Sequence, residues 1–275
     1  MKIFALVLVM AVAAFAMTDA APDAGITQPG TDTWLEEIAY WSVETAIPNV
    51  YSVGCGWDGT YFWITNGAGQ AGASTGMFYL FDHAGAVVDS FEQNDAPGWG
   101  LRDLCCDGTY MYGSVSTAID YYDITTYEKV GAFTGPISPN RALAWDGTYF
   151  YTSSFSTDVN QLTWDGVSGS TAATTVWSTA ATSAYGAAWD YLNDCLWVTS
   201  ANGTGIVDQI AADGSLIEHH TLIPSATMGG ATMALTAPIN ELYVFEQGSP
   251  DAMHGYDVNP SALERDTWGS IKSLF

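Results

Sequence analysis

Basic residues are scarce in this chain: 6 Lys and Arg stand against 30 Asp and Glu, and the formal net charge is −24. Nucleic acids and anionic lipid surfaces are bound by basic surfaces, so this balance argues against both as partners. Charged residues make up only 13% of the chain, whereas 48% of it is hydrophobic. This composition is typical of a folded domain with a substantial core and excludes a disordered chain.

Motifs for catalysis and metal binding are missing as well. The sequence contains no Gly-x-Ser-x-Gly nucleophile motif and no acidic loop of the type that binds calcium in helix–loop–helix proteins. The histidines lack the spacing of a metal site; they are His83, His219, His220 and His254. We predict no cofactor. Bound Ca²⁺ is the one alternative, and it is suggested only by the acidic composition.

Cysteine is also infrequent, with 4 residues in the chain. An even number in an exported chain permits disulfides, but four are too few to define a disulfide scaffold at this length. A bridge between Cys55 and Cys105 and a vicinal bond between Cys105 and Cys106 are two alternatives. The third is that the cysteines pack as thiols, which the positions of Cys106 and Cys195 in the repeat favour.

The chain has one long apolar run, residues 3–16, which follows Lys2 and precedes small residues suited to signal peptidase. The run is shorter than the ~20 residues that span a bilayer, so a signal peptide is a better interpretation than a membrane anchor. We predict a signal peptide over residues 1–21 and a linker over 22–34. We expect the mature protein to be secreted or extracellular, with the periplasm or cell surface as alternatives. It should be a monomer without a membrane span.

A repeat gives the architecture. The segments Trp57-Asp58-Gly59-Thr60-Tyr61-Phe62-Trp63, Cys106-Asp107-Gly108-Thr109-Tyr110-Met111-Tyr112 and Trp145-Asp146-Gly147-Thr148-Tyr149-Phe150-Tyr151 share one pattern. Degenerate copies start at Trp189 and Leu235, and the five anchors are 49, 39, 44 and 46 residues apart. This spacing matches one four-stranded propeller blade per unit, with Asp-Gly as a two-residue hairpin between the first two strands.

The sequence therefore predicts an all-β protein, a β-propeller of five four-stranded blades over residues 35–260. In blade 1 the strands a to d are expected at residues 52–57, 60–65, 77–81 and 86–92, with small residues in strand a next to the axis. The last blade lacks a fourth strand, and we expect residues 38–44 to supply it and close the ring. The tail, residues 261–275, has a partly helical period.

These blades resemble bacterial propellers of the glutamine-cyclotransferase-like, NHL and YVTN kind. The resemblance rests on the order of apolar strand, Asp-Gly turn, aromatic strand and a further strand ending in Asp, over roughly residues 35–258. It implies a propeller fold. Such propellers host enzymes, receptors and scaffolds, so the resemblance does not imply an activity.

Propellers bind ligands at the mouth of the central channel, which the d–a and b–c loops surround. Alignment on the anchors places Val53, Arg102, Arg141, Tyr185 and Ala231 at one equivalent position near this mouth. Two cations there suggest a site for an anion or carboxylate, whereas the structural alternative is that each arginine pairs with a loop acid such as Asp103 or Asp95. The candidate ligand-binding residues are Arg102, Arg141, Asp103, Tyr185, Asn140 and Trp99.

The leading functional hypothesis is a non-enzymatic module that binds an extracellular ligand or protein through its loop-bearing face. The alternative is a propeller enzyme of the lyase or acyl/aminoacyl-transferase kind with its site at the channel mouth, and we predict no catalytic residue for it. Propeller glycosidases need at least two carboxylates near the axis, and only Asp103 qualifies. A third hypothesis is a structural surface or matrix protein.

Overall fold

The computed structural model describes residues 34–47, 51–67, 76–94, 96, 98–164, 175–178, 183–236 and 239–259. Its strands form five antiparallel sheets of four strands each, arranged as a β-propeller. The innermost strands contact one another around a closed circle, from blade 1 through blade 5 and back to blade 1. The predicted fold class is therefore confirmed. The predicted signal peptide and C-terminal tail lie outside the described residues.

Each blade runs from an inner strand a to an outer strand d. Blade 1 comprises β2 (Ser52–Trp57), β3 (Phe62–Asn66), β4 (Gly76–Phe81) and β5 (Val87–Gln93). Blade 2 comprises β6 (Leu104–Cys106), β7 (Tyr110–Val115), β8 (Ala118–Asp123) and β9 (Lys129–Thr134). Blade 3 comprises β10 (Ala142–Trp145), β11 (Phe150–Ser153), β12 (Asp158–Leu162) and β13 (Thr175–Ser178).

The last two blades follow the same order. Blade 4 comprises β14 (Ala184–Asp190), β15 (Cys195–Ser200), β16 (Ile206–Ala211) and β17 (Leu216–Thr221). Blade 5 comprises β18 (Thr227–Thr236), β19 (Ile239–Gln247), β20 (Ala252–Asp257) and, as its outer strand, β1 (Glu37–Ser42). No helix in the described part of the chain is long and apolar enough to cross a membrane.

The N-terminal strand closes the ring as predicted, but it is shorter than expected. β1 pairs antiparallel with β20, with Trp41 opposite Met253. After Ser42 the chain turns into the helix α1 (Val43–Ala46), because the Ser42 side chain accepts the amide hydrogen of Thr45 as an N-cap. The amides of Val43 and Glu44 also donate to the carbonyl of Asp251, so α1 fixes the start of β20.

The blades pack through both faces of their sheets. All five residues of β3 and all six of β15 are buried, although neighbouring residues on a strand point to opposite faces. Five separate apolar clusters fill the spaces between neighbouring blades. A strand with apolar residues on both faces needs packing partners on both sides. Each blade provides them because its sheet lies between two others.

The turn aspartates of blades 1 to 3 explain why the repeat combines Asp with an aromatic residue five positions later. In blade 1, Oδ1 of Asp58 accepts the amides of Thr60 and Tyr61, each at 2.7 Å, and Oδ2 accepts the indole N–H of Trp63 at 2.7 Å. Asp107 and Asp146 do the same, and their Oδ2 atoms accept the phenol hydrogens of Tyr112 and Tyr151. Each aspartate therefore joins a turn to the packed face of its own blade.

In blades 1 to 3 the centre of the a–b hairpin lies one residue later than predicted. The amide of Asp58 donates to the carbonyl of Tyr61, so Gly59 and Thr60, rather than Asp58 and Gly59, are the central residues. Gly59, Gly108 and Gly147 have positive φ angles of 100°, 89° and 100°. The aspartate stands outside the positive-φ position, which leaves its side chain free to accept the turn amides.

Replacement of Gly147 by Val should lower the free energy of unfolding by about 1–3 kcal/mol, because a β-branched residue is strained at positive φ. A Cβ at position 147 would meet no atom within 4 Å, so backbone strain is the expected cause rather than a clash. Urea unfolding of wild type and G147V measures the difference. Equal stabilities would contradict the assigned turn.

Asp251 makes ring closure sensitive to pH. Burial, together with the charges of Glu44 and Glu246, raises the pKa of Asp251 from 3.8 to about 6. The folded state thus holds the proton more tightly than the unfolded state, and stability falls as pH rises between about 4 and 6. Asp251→Asn keeps an acceptor for the Gly248 amide but carries no charge.

We expect Asp251→Asn to raise the free energy of unfolding by about 1 kcal/mol at pH 7.5 and to change it little at pH 4, after allowing for solvent screening. Urea unfolding at the two pH values measures this. An equal effect at both values would show that the charge of Asp251 is not its cause.

Candidate functional site

The carboxylate of Asp103 lies at the propeller axis and is fully buried. Its Oδ2 atom accepts the amides of Leu143 and Ala187 at 2.9 and 2.8 Å, and its Oδ1 atom accepts the amide of Ala231 at 3.2 Å. These amides belong to the inner strands of blades 3, 4 and 5, while Asp103 precedes the inner strand of blade 2. One side chain therefore joins four of the five blades.

Two opposing effects act on this carboxylate. Burial keeps the pKa of Asp103 well above 3.8, although the backbone amides of Leu143, Ala187, Leu104 and Ala231 lower it. Such amides favour the carboxylate because they place partial positive charge around it and replace the water that burial removes. Asp103 is thus a structural acceptor with no surface open to a ligand.

The inner strands are bulged where they approach this carboxylate. Register shifts fall between Ser52 and Cys55, between Ala184 and Ala187, and between Met228 and Ala231. The glycines nearby are required by close packing, since a Cβ at Gly230 would lie 2.4 Å from Asp103 Oδ1 and one at Gly54 would lie 1.8 Å from the Arg102 carbonyl oxygen. The expected small residues around the axis are confirmed.

These registers correct the alignment of blade 5. Met233 pairs with Leu242 as Trp57 pairs with Phe62, so Met233 and not Leu235 is the structural anchor. The residue at the mouth position is consequently Gly229, and Ala231 lies two residues further in, where it binds Asp103. The alignment was wrong because the extra residues before Leu242 lengthen both strands of the hairpin as well as its turn.

A pocket of about 310 Å³ opens at the mouth of the channel. It lies on the face formed by the d–a and b–c loops, above the inner strands. Its lining residues come from all five blades or the loops between them, and among those described they are Val53, Trp99, Arg102, Arg141, Phe155, Tyr185, Ala201, Thr227 and Gln247. The volume is at the lower end of the range for small-molecule sites.

Arg102 enters the pocket between two aromatic side chains. Its guanidinium carbon lies 5.6 Å from the centroid of the Trp99 ring, and the group also hydrogen-bonds to the Tyr185 side chain. Burial and the charge of Arg141 lower the pKa of Arg102 to about 10. The arginine remains charged at neutral pH, and its positive charge is stabilised less well than it would be in water.

Arg141 stands beside it on the next blade. Its guanidinium carbon lies 4.9 Å from the centroid of Phe155 and 6.0 Å from that of Tyr185. Its Nε atom is buried and has no hydrogen-bond partner. Among the described residues neither arginine forms a salt bridge with a carboxylate, and the one acid predicted as partner that is described, Asp103, binds backbone amides instead. Asp95 lies outside the described residues.

Four of the six predicted site residues meet in this pocket: Arg102, Arg141, Tyr185 and Trp99. The other two do not line it. Asn140 is buried, and its side-chain amide donates to the carbonyls of Ser116 and Thr117 at 3.1 and 3.0 Å. Asp103 lies below the pocket floor. Both are polar residues next to an arginine in sequence, but their side chains stabilise loops and the axis rather than face solvent.

Sequence reasoning missed Phe155, Thr227 and Gln247 as lining residues. Phe155 has a φ of +45° and is 48% exposed, which is costly for an aromatic residue and typical of functional loops. The signal for it in the sequence is an aromatic residue in the otherwise polar segment 153–158.

The remaining chemistry-bearing residues lie elsewhere. All four cysteines are free thiols, so neither predicted disulfide alternative forms, and burial raises the pKa of Cys55, Cys105, Cys106 and Cys195. His83 and His219 each pair with one carboxylate, and His220 packs against a tryptophan ring. His254 lies between the carboxylates of Glu37 and Glu246. Within the described ranges no three metal-ligating side chains come together.

Replacement of Asp103 by Asn should destabilise the propeller by about 2–4 kcal/mol, because the side-chain N–H₂ would face at least one buried amide hydrogen. Thermal and urea unfolding measure this loss. Asp89→Asn is the matched control, since Asp89 is exposed on strand β5 and its amide oxygen can still accept the Ser90 amide. If both variants unfold like wild type, Asp103 does not join the blades.

Comparisons with known proteins support the fold and leave the activity open. No family model matches the chain, and no curated protein matches it. Among solved structures, the chain is similar to the crystal structure of glutaminyl cyclase from Myxococcus xanthus, with a TM-score of 0.61 and 12% sequence identity over 82% of this chain and 97% of that one. The predicted resemblance to glutamine-cyclotransferase-like propellers is thereby confirmed at the level of the fold.

Proposed function

We propose that this chain is a non-enzymatic binding module that holds a small organic anion, with a carboxylate next to an apolar group, in the mouth pocket. The observation that supports this most is the pair of arginines in the pocket, which have no carboxylate partner among the described residues. The chain has only 6 basic residues against 30 acidic ones. Two basic residues left without acids in such a chain favour an anionic ligand.

The surrounding side chains suit a carboxylate better than a bare inorganic ion. The two guanidinium groups can donate several hydrogen bonds to carboxylate oxygens. Trp99, Phe155 and Tyr185 offer apolar surface beside these donors. An anion with a short apolar or aromatic part would contact both kinds of group at once.

The strained Phe155 is consistent with a binding loop. Its ring covers Arg141 at 4.9 Å while nearly half of the side chain stays exposed. A ligand that packs against this ring would bury apolar surface and offset part of the backbone cost. The signal peptide predicted over residues 1–21 supports binding outside the cytoplasm.

The alternative is an enzyme like the structural neighbour, which is a glutaminyl cyclase. A cyclisation of that kind must move a proton from the attacking amine and deliver one to the leaving ammonia, which calls for an acid–base group near the substrate. Among the described lining residues the titratable groups are Arg102, Arg141 and Tyr185, and burial raises the pKa of Tyr185. The described lining thus favours binding over proton transfer.

Calorimetric titration of the full mature chain with benzoate and succinate tests the proposal. We expect binding of benzoate, with about tenfold weaker affinity in Arg102→Gln or Arg141→Gln and about a hundredfold loss in the double variant, because each arginine supplies charge-assisted hydrogen bonds. Lys129→Gln is the matched control: it removes one positive charge from β9, where Lys129 pairs with Asp120.

The proposal fails if the double variant binds benzoate as tightly as wild type, or if wild type binds neither probe. Ammonia release from a peptide with N-terminal glutamine, lost in the double variant, would instead support the enzymatic alternative. Arg102→Lys separates the effect of charge from that of the guanidinium fork, because lysine keeps the charge and loses the planar donors.

A further inference from the structure

A second cleft lies on the opposite face of the propeller, between the a–b turns of blades 2 and 3. Its volume is about 380 Å³, and aromatic rings form most of its wall. Its described lining contains one charged group, the carboxylate of Asp107, and no lysine or arginine. The full set is Asp107, Tyr110, Tyr112, Tyr121, Val130, Trp145, Phe150 and Trp164.

The equivalent position between blades 5 and 1 contains a side chain of the protein itself. The His83 ring lies 6.1, 6.0 and 5.9 Å from the ring centroids of Trp57, Phe62 and Tyr243. Its Nε2 atom is 2.6 Å from Glu241 Oε2. At this position the propeller therefore places one imidazole ring beside three aromatic rings and a carboxylate.

The strand registers make the two positions equivalent. Trp145 pairs with Phe150 as Trp57 pairs with Phe62, and Tyr112 follows Met111 as Tyr243 follows Leu242. Met111 and Leu242 each pair with the anchor of their own blade. Trp145, Phe150 and Tyr112 thus stand where Trp57, Phe62 and Tyr243 stand around His83.

The residue that corresponds to His83 leaves the cleft between blades 2 and 3 open. By register this residue is Trp164, since Leu162 pairs with Phe150 as Phe81 pairs with Phe62. Its ring stacks on Phe133 at 4.6 Å and 13° and lies edge-on to Tyr112 at 5.5 Å and 81°, so it forms one wall of the cleft. Between blades 3 and 4 the space is closed in another way, by Tyr151 stacked on Trp189 at 5.2 Å and 7°.

The cleft between blades 2 and 3 also has a carboxylate, as the position around His83 does. Asp107 Oδ2 accepts the Tyr112 hydroxyl hydrogen at 2.7 Å, and its Oδ1 accepts the amides of Thr109 and Tyr110. These bonds hold a negative charge at the cleft wall, as Glu241 holds one beside His83 and Tyr243. The faces of aromatic rings carry partial negative charge, so rings and carboxylate attract a cation together.

We propose that this cleft binds a small quaternary ammonium cation. Aromatic cages recognise such groups because a methylated ammonium loses little hydration energy and gains contact with several ring faces. A sugar would need amide, guanidinium or free carboxylate groups for its hydroxyls, and the described lining lacks the first two. The net charge of −24 favours cations further.

Titration calorimetry with choline at fixed ionic strength tests the proposal, with 3,3-dimethylbutan-1-ol as the neutral analogue of the same shape. We expect wild type to bind choline with a Kd of about 1 mM or below and the alcohol at least tenfold more weakly. Trp164→Leu should weaken choline binding about tenfold by removing one ring.

A second pair of variants does not depend on core packing. Val130 lines the cleft and is 50% exposed on strand β9, whereas Val88 is 47% exposed on strand β5 of blade 1. Val130→Lys should weaken choline binding about tenfold by placing a cation at the rim, and Val88→Lys should change it less than twofold. Both variants alter the net charge equally, so the comparison isolates the local effect.

Three results would overturn the proposal. They are the absence of choline binding up to about 50 mM, equal affinity for choline and the neutral alcohol, and equal effects of Val130→Lys and Val88→Lys. Equal affinity for the alcohol would show a merely apolar cavity. Because the cleft and the mouth pocket share no residue, failure here leaves the anion-binding proposal untouched.

Discussion

The rest of the structure depends on the hydrogen bonds that the Asp103 carboxylate accepts from the inner strands. Blades of a propeller pack face to face, but their inner strands meet at the axis edge-on, with amide hydrogens that no neighbouring strand accepts. Oxygens of one side chain accept three of these hydrogens, from Leu143, Ala187 and Ala231. A buried carboxylate is costly unless it is fully hydrogen-bonded, so the blades and Asp103 stabilise each other.

This arrangement also determines where the arginines stand. Arg102 immediately precedes Asp103, and Arg141 lies two residues before Leu143, whose amide binds Asp103. Both arginines therefore stand where their strands approach the axis from the channel mouth. Because the Asp103 carboxylate is occupied by amides, it is not available to neutralise either guanidinium group. The same interaction that joins the blades thus leaves two positive charges at the mouth.

Local patterns predicted the blades well, because each strand and turn depends on residues close in sequence. The Asp-Gly turns, the strand order of blade 1 and the closing strand all follow from such patterns. The role of Asp103 could not be predicted, since its partners lie 40, 84 and 128 residues away and are backbone amides, which leave no trace in the sequence. The misplacement of Ala231 had a related cause: extra residues in a hairpin can extend its strands or its loop, and only the register decides.

The prediction of the site residues was likewise right where it rested on the repeat and wrong where it did not. Arg102, Arg141, Tyr185 and Trp99 were found because repeat positions place them at one end of the blades. Asn140 and Asp103 were assigned to the same end by proximity in sequence, yet adjacent residues in an extended chain point in opposite directions. The position of a residue in the repeat predicts which end of the blade it occupies more reliably than it predicts where its side chain points.

The pockets on the two faces of the propeller differ in charge, and part of the reason lies in the repeat itself. In blades 1 to 4 a carboxylate accepts the amides of the a–b turn, so Asp58, Asp107, Asp146 and Asp190 all gather on one face. The loops at the mouth have no such requirement, and there the described pocket lining contains two arginines and no acid. A strongly acidic chain can therefore present a cationic pocket on one face and an anionic aromatic cleft on the other, because turn geometry fixes where part of its negative charge must lie.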